Sequence, residues 1–418
     1  MSKLGFLFSG QGSQYIGMGK NLYNNFAIAK ETYDEASEVL GFDLGKLCFE
    51  GNANELSQTE NTQPAILTTS MAQFRVYMEE IGEEPHYLAG HSLGEYTALV
   101  CAGVIDFSDA VKLVRARGMF MKEIANDGLG AMAVIRNIDE KIVEEESYKI
   151  SLGGRVIGIS NYNGEKDVVI SGEAEAVVQV CEELKSKGAE IFKLNVSAAF
   201  HSPIMELAAE KFKNELNRYA FKDPKYKILS NVTALPYEDK DQILDILGEQ
   251  IVKPVNWHAI MKYLGQQELD NVIEFGPKAT LRNLVRNNIS NIGAYSYDKK
   301  EDVKEMKEKI FAKEVSHQKN KYSIISRSLG IAVATKNNNW NNEEYMRGVI
   351  KPYEKIAMLQ TELEETNKMP TIDQMQMAVE MLKSVFQTKG TPKDEQQERF
   401  NQLFEETNTK RYFENFEI

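Results

Sequence analysis

The sequence predicts an α/β protein. A mainly parallel sheet carries an inserted ferredoxin-like βαββαβ subdomain, and a mainly helical C-terminal extension follows. Three observations lead there. Short apolar runs alternate with helical periodicity over the first 130 residues. The element order changes to βαββαβ between 130 and 195. Glycine nearly vanishes late in the chain: of 28, only Gly330, Gly348 and Gly390 lie beyond residue 300. With 418 residues there is room for two or three domains. The expected division is 1–129 with 196–313, then 130–195 as the insertion, then 314–418.

Leu4 to Phe8 is an apolar run ending in Ser9-Gly10-Gln11-Gly12, a strand feeding a Gly-rich turn. Gln63 to Gly82 holds Pro64 near its start and spaces Leu67, Met71 and Phe74 as a helix. His86 to Gly90 is a strand and Glu95 to Gly103 a buried helix. Ser108 is positioned to cap a helix bearing Val111, Val114 and Met121. The insertion reads as strand Ala131–Ile135, helix Ile138–Ser147, strands Arg155–Ser160 and Asp167–Ser171, helix Glu173–Lys187 and strand Glu190–Leu194. The larger domain resumes near Val196 with helix 203–219, strand Lys227–Asn231, helix 241–251 and strand Asn271–Phe275.

Residues 301–418 carry 18 basic and 20 acidic side chains; the first 300 carry 31 and 42. This shift in balance places a boundary within Lys299–Lys321. Beyond it, Pro370 and Thr371 open a segment with Ile372, Met375, Val379, Leu382 and Phe386 on one stripe, stopped by Gly390 and Pro392. Phe400, Leu403 and Phe404 mark another short helix.

The net charge of −13 leaves no surplus of cations for phosphate, which argues against nucleic acid. Cys48, Cys101 and Cys181 form no CxxC pair, and no His/carboxylate pair has metal-ligand spacing, so neither a disulfide scaffold nor a metal site is expected. Met1–Phe8 is too short an apolar run for a signal peptide, and Tyr96–Ile105 is about half a membrane span. A cytoplasmic protein without membrane association is expected.

Gly90-His91-Ser92-Leu93-Gly94 follows a strand and precedes an apolar helix. A serine on so sharp a turn needs small neighbours, and the turn lifts its Oγ clear of the sheet. The N–H of Leu93, at the helix start, is placed to stabilise an oxyanion. The plainer alternative is a Gly-rich turn without chemistry. A serine nucleophile needs a base. Of five histidines, His86 begins a strand, His91 sits in the turn and points away, His258 lies on a helix and His317 in a polar linker. His201, in the loop Ser197–Pro203, remains; on position alone it is either the base or a structural loop histidine.

At this point the motifs resemble a known family. Phe8-Ser9-Gly10-Gln11-Gly12-Ser13-Gln14, Gly90–Tyr96, Arg117-Gly118 and Ala199-Phe200-His201-Ser202 occur in the order of malonyl-CoA:acyl-carrier-protein transacylases. Asn161-Tyr162-Asn163, Pro254-Val255-Asn256-Trp257 and Glu274-Phe275-Gly276-Pro277 also fit. The resemblance covers roughly residues 1–300. It implies an α/β-hydrolase-like domain with a ferredoxin-like insertion. It implies Ser92 as nucleophile, His201 as base, the backbone carbonyl of Gln250 as the group orienting that histidine, and Gln11 and Leu93 as oxyanion donors. Arg117 would hold the malonyl carboxylate, since a guanidinium fork matches a planar carboxylate. Phe200 beside the base would leave little room for a branched α-carbon and so favour malonyl over methylmalonyl. Malonyl-CoA would be a substrate, an acyl carrier protein the partner, and no bound cofactor is implied.

Ser9 stands where the family usually has Pro, Lys122 where many members have Gln, and Ala198 where a related motif has His-Ala-Phe-His. If Lys122 faced the pocket it would add positive charge near the acyl group. The C-terminal extension is similar to that of discrete trans-acting acyltransferases of bacterial polyketide and hybrid lipopeptide assembly. It implies either partner docking or simple packing. Two other functions share the sequence: an acyl hydrolase that clears stalled carrier proteins, which would have no use for Arg117, and a non-catalytic carrier-binding scaffold, which would not need Ser92, His201 or Gln11. A fatty-acid-synthesis transacylase is a further alternative.

Overall fold

The structure, a computed structural model, describes residues 3–125, 128, 130–194, 196, 198–317, 323–366, 368, 370–407, 409–413 and 416. The chain forms two compact units, Ser2–Lys307 and Glu308–Ile418.

In the first unit, strand β1 (Leu4–Phe8) is buried along its whole length. Helices α1 (Lys20–Asn25), α2 (Ala27–Leu40), α3 (Leu44–Glu50) and α4 (Ala53–Leu56) lead to α5 (Thr59–Glu80). Then come β2 (Tyr87–Gly90), α6 (Leu93–Cys101) and α7 (Phe107–Ala125). The insertion follows: β3 (Gly130–Arg136), α8 (Glu140–Ser151), β4 (Ile157–Gly164), β5 (Asp167–Glu173), α9 (Ala174–Ser186) and β6 (Glu190–Lys193). The chain returns through α10 (Glu206–Leu216), β7 (Lys227–Leu229), α11 (Lys240–Gln250), α12 (Trp257–Gly265), β8 (Asn271–Phe275), α13 (Thr280–Asn288), β9 (Gly293–Ser296) and α14 (Lys300–His317).

The large sheet is parallel throughout, in the order β7-β2-β1-β8-β9. Helices cover both faces, so β1, at its centre, reads as an apolar run buried along its length. Phe6 and Phe8 meet Phe275 and the α5 ring Phe74 on one face. Leu7, Ala89 and Val272 meet Trp257 and Ile260 on the other. The second sheet is antiparallel, order β4-β5-β3-β6, which is the ferredoxin-like arrangement expected from element order. It is tied to the large sheet's domain through Val255, which donates to Ser160 O at 2.9 Å and accepts from Tyr162 N at 2.9 Å.

Several boundaries move, for physical reasons. α5 begins at Thr59, four residues before Gln63, so Pro64 lies inside it. Proline has no N–H to offer Glu60 O, and Arg115 Nη1 donates to that carbonyl instead at 2.7 Å. α6 starts at Leu93, and α7 starts at Phe107, which puts Ser108 in its first turn and not at its cap. α8 starts after Asp139, whose carboxylate accepts from Lys141 N. His317 ends α14 and is not in a linker. Helices α1–α4 and α13 and strand β9 were not anticipated. In α2 the buried stripe is Ala29, Thr32, Tyr33 and Ala36, where small and polar residues hide the periodicity. β9 has only four residues and starts with glycine.

The second unit holds α15 (Ile324–Ala334), α16 (Asn342–Tyr345), a π turn at Met346–Ile350, α17 (Lys351–Thr366), α18 (Ile372–Lys389) and α19 (Lys393–Glu406). α18 starts and stops where the sequence says. Thr371 and Gln374 form a capping box, and Gly390 closes the helix at φ 67°. Its stripe is buried from Val379 through Leu382 to Phe386, whereas Ile372 is 52 % exposed. The stripe packs on Ile325, Leu329, Phe400 and Leu403 of the same unit, which therefore has a core of its own. No helix among the described residues is long and apolar enough to cross a membrane.

Candidate active site

β1 and β2 lie side by side, with Phe8 opposite Gly90, so the two turns that leave them are neighbours at the C-terminal edge of the sheet. Ser92 heads the second turn with φ 50° and ψ −101°, a conformation non-glycine residues rarely adopt. The flanking glycines are needed for space. A Cβ on Gly90 would fall inside the Gly94 carbonyl group, and one on Gly94 would overlap Phe8 O. Asn231, just beyond β7, clamps the turn: its Oδ1 accepts from Ser92 N at 2.6 Å and its Nδ2 donates to Gly90 O at 2.7 Å.

Ser92 Oγ lies 2.8 Å from His201 Nε2. His201 Nδ1 is 2.7 Å from Gln250 O, at the end of α11, so Nδ1 carries the proton and Nε2 is free to accept one. His201 also sits at positive φ, 55°, and is 5 % exposed. Burial, and after it the Arg117 guanidinium, push its pKa down to about 3, which keeps the ring neutral at neutral pH and leaves the Nε2 lone pair unprotonated. His91 points away as expected: its Nε2 is 3.0 Å from Asn163 Oδ1, and its ring leans on Trp257.

Arg117, on α7, is 1 % exposed. Its Nη2 reaches Ser92 Oγ at 3.2 Å and Gln250 Oε1 at 3.0 Å, and its Nη1 donates to Gln63 Oε1 at 2.8 Å. The guanidinium lies over the Tyr96 ring, 5.2 Å from its centroid. None of these partners is a carboxylate, and Arg117 Nε has no acceptor among the described residues. Glu95 acts on Arg117 only at longer range, through Gln250, so a buried cation hydrogen-bonded to neutral groups alone, beside the candidate nucleophile, is a place for an anionic substrate group.

The side chains of Gln63, Glu95, Asn231 and Tyr237 escaped the sequence reading. Glu95 accepts from Tyr237 Oη and Gln250 Nε2 at 2.5 Å each and from Asn231 N at 3.1 Å, which locks the helix of Ser92 to the strand end that clamps it. Burial raises the Glu95 pKa to about 7 against those donors. Gln63 links Arg117 to Thr59, which donates to Gln11 Oε1 at 3.0 Å. The only sequence signal for Asn231 was its place at a strand end.

Gln11 lies in the turn after β1, and Leu93 is the first residue of α6, where a backbone N–H has no acceptor in its own helix. Phe200 is partly buried in the turn that holds His201. Lys122 is tied to Glu60 and Gln58 and is 42 % exposed, so its charge is spent there and not beside the acyl site. Arg115 also faces elsewhere, onto Glu60 and Asn61. Ser9 donates to the buried Glu274 carboxyl at 2.8 Å, a bond proline could not make. A cleft of about 580 Å³ opens onto His201, with Arg155 and Ile157 on one side and Lys253 and Pro254 on the other. Among the described residues no group of His, Cys, Asp and Glu is arranged to hold a metal.

The family model for the acyl transferase domain matches residues 5–319. The chain belongs to the acyl transferase family. A malonyl CoA-acyl carrier protein transacylase of Bacillus subtilis is 37 % identical over 400 residues, 95 % of this chain and 99 % of that one. One from Escherichia coli is 40 % identical over 295 residues, 70 % of this chain and 95 % of its own. Among solved structures, a malonyl CoA-acyl carrier protein transacylase from Clostridium perfringens has a TM-score of 0.72 at 37 % identity, covering 76 % of this chain and 100 % of that one. A malonyl-transacylase solved with a holo type II PKS acyl-carrier protein has a TM-score of 0.69 at 37 % identity, covering 71 % and 96 %. This acyl transferase thus shares its first unit with the shorter relatives, and the 400-residue match extends well into its second.

Proposed function

We propose that the chain transfers malonyl from malonyl-CoA to the phosphopantetheine thiol of an acyl carrier protein. The observation that carries this reading is Arg117: a buried guanidinium 3.2 Å from Ser92 Oγ with no carboxylate partner. The thioester's free carboxylate is the missing counter-ion. Ser92 Oγ attacks the thioester carbonyl as His201 Nε2 takes its proton. The Gln11 and Leu93 N–H groups receive the developing oxyanion. The C–S bond then breaks, and the leaving thiolate takes that proton back from His201 as CoA-SH. The carrier's thiol repeats the sequence in reverse, giving the carrier thioester and free Ser92 in a ping-pong cycle. The cleft of about 580 Å³ beside His201 is the route we assign to the pantetheine arm.

The carrier, we infer, belongs to polyketide or hybrid lipopeptide assembly; the C-terminal unit absent from the shorter relatives supports this. Intact-mass analysis after mixing with malonyl-CoA tests the chemistry. A lasting malonyl adduct on Ser92 is expected. Free malonate without an adduct would indicate hydrolysis, and neither would indicate a scaffold. Comparing loading rates on holo carrier proteins from fatty-acid and polyketide systems tests the pathway.

A further inference from the structure

The C-terminal unit carries a second cleft, of about 390 Å³, that the transfer chemistry does not use. One wall is cationic. Arg347, Lys351 and Lys355 line it, all three exposed, and none has an ion pair or hydrogen bond among the described residues. The floor is apolar, with Ile356 and Met381 buried and Met377 partly so. Glu380 is the single carboxylate in the lining.

The local backbone lines the cations up. In an unbroken α-helix residues four apart drift by about 40°, so positions 347 and 355 would stand about 80° apart. Here a π turn occupies Met346–Ile350, and its wider turn offsets part of that drift. Ser384 stabilises the turn by donating to Gly348 O at 2.9 Å. Gly348 lies so near Thr388 that a Cβ would overlap its hydroxyl. Three like charges over about 12 Å of helix, with no internal partner, repel one another and gain only by meeting an external anion.

We propose that this cleft docks an acidic amphipathic helix of the carrier protein, with its carboxylates on Arg347, Lys351 and Lys355 and an apolar side chain on Met377 and Met381. The proposal rests on the transfer reading above. Charge favours this unit over the first, because residues 301–418 are near balance, with 18 basic and 20 acidic side chains. The first 300 residues carry 31 basic and 42 acidic side chains, so at long range they oppose an acidic partner. A docking site on the same chain as the catalytic serine raises the partner's local concentration without any new contact at the active site. Methionines suit such a role, because their flexible side chains adapt to differing partners.

The test is the full-length triple variant Arg347→Glu/Lys351→Glu/Lys355→Glu, with any holo carrier protein that the wild-type chain loads. The carrier KM should rise about tenfold or more, with kcat and the rate of self-acylation by malonyl-CoA little changed. Transfer to a small thiol such as free pantetheine should be unaffected. In the wild-type chain the carrier KM should climb with added salt, and in the variant that dependence should flatten. Restoring charge balance by placing lysines on the carrier's acidic helix should recover KM. An unchanged carrier KM alongside normal self-acylation would overturn this inference alone. So would a change confined to self-association on gel filtration, which would make the cleft a contact between two copies. Failure of the wild-type chain to self-acylate would overturn the transfer reading, and this inference with it.

Discussion

Replacing Arg117 by alanine separates recognition of the malonyl carboxylate from the rest of the chemistry. Arg117 is buried, donates to Gln63, Gln250 and Ser92, and lies over the Tyr96 ring. Its removal therefore does two things. It strands Gln63 Oε1 and Gln250 Oε1, which affects every substrate alike, and it leaves a malonyl carboxylate unpaired in a site where water is scarce. The second loss is about 2–5 kcal/mol, or roughly 30-fold to several-thousand-fold in rate. Acetyl has no carboxylate and escapes it. The assay is the single-turnover rate of acyl-enzyme formation by intact mass, with malonyl-CoA and acetyl-CoA in parallel. The quantity that matters is the ratio of the two losses, because damage common to both substrates cancels. Arg117→Lys should fall between, since an ammonium keeps the charge but lacks the planar fork that meets a carboxylate with two parallel hydrogen bonds. Equal losses on both substrates would refute the reasoning and leave Arg117 as a strut.

Other substitutions probe the remaining parts. Ser92→Ala should remove the adduct and leave the melting temperature no lower, as judged by mass and thermal melting. Asn231→Ala should cost about 1–3 kcal/mol of stability and slow acylation, because Ser92 N and Gly90 O both lose their partner; chemical denaturation and burst kinetics would report the two effects. His201 has a folded pKa of about 3, below its unfolded value, so the unfolded chain binds more protons between about 3 and 6.5. The stability it lends is complete above that window and is lost as pH falls through it. Urea midpoints at pH 5 and 7.5 should diverge less in His201→Gln than in wild type; an equal divergence would place the acid sensitivity elsewhere. A chain ending at Lys313 should still form the malonyl-enzyme, since every site residue precedes that point and the C-terminal core closes on itself.

The candidate nucleophile was legible because its motif is local, a serine between two glycines after a strand, whereas position alone left His201 open between a base and a structural loop histidine, and the family resemblance assigned it. The ferredoxin-like insertion was legible from element order alone. The supports were harder to see. Asn231 and Glu95 are 136 residues apart and meet only because β7 pairs with β2. Gln63 read as a helix start, and its contact with Arg117 depends on α5 meeting α7 where Gly118 lies against the backbone of Thr59 and Glu60, too close for a Cβ. Lys122 was ambiguous for the same reason. Its neighbour Glu60 lies on α5, and helix periodicity says nothing about which charge waits on the facing helix.

Both members of the proposed catalytic pair have positive φ, Ser92 at 50° and His201 at 55°. Each such residue stores on the order of 1–3 kcal/mol that glycine would release. At the buried position 201 the lost imidazole packing offsets that gain, but at position 92 heat resistance and turnover pull in opposite directions. A laboratory screen that rewards thermal stability alone would enrich glycine there and recover hardy, inactive chains. Any effort to toughen this enzyme has to select for acyl transfer in every round, or hold positions 92 and 201 fixed.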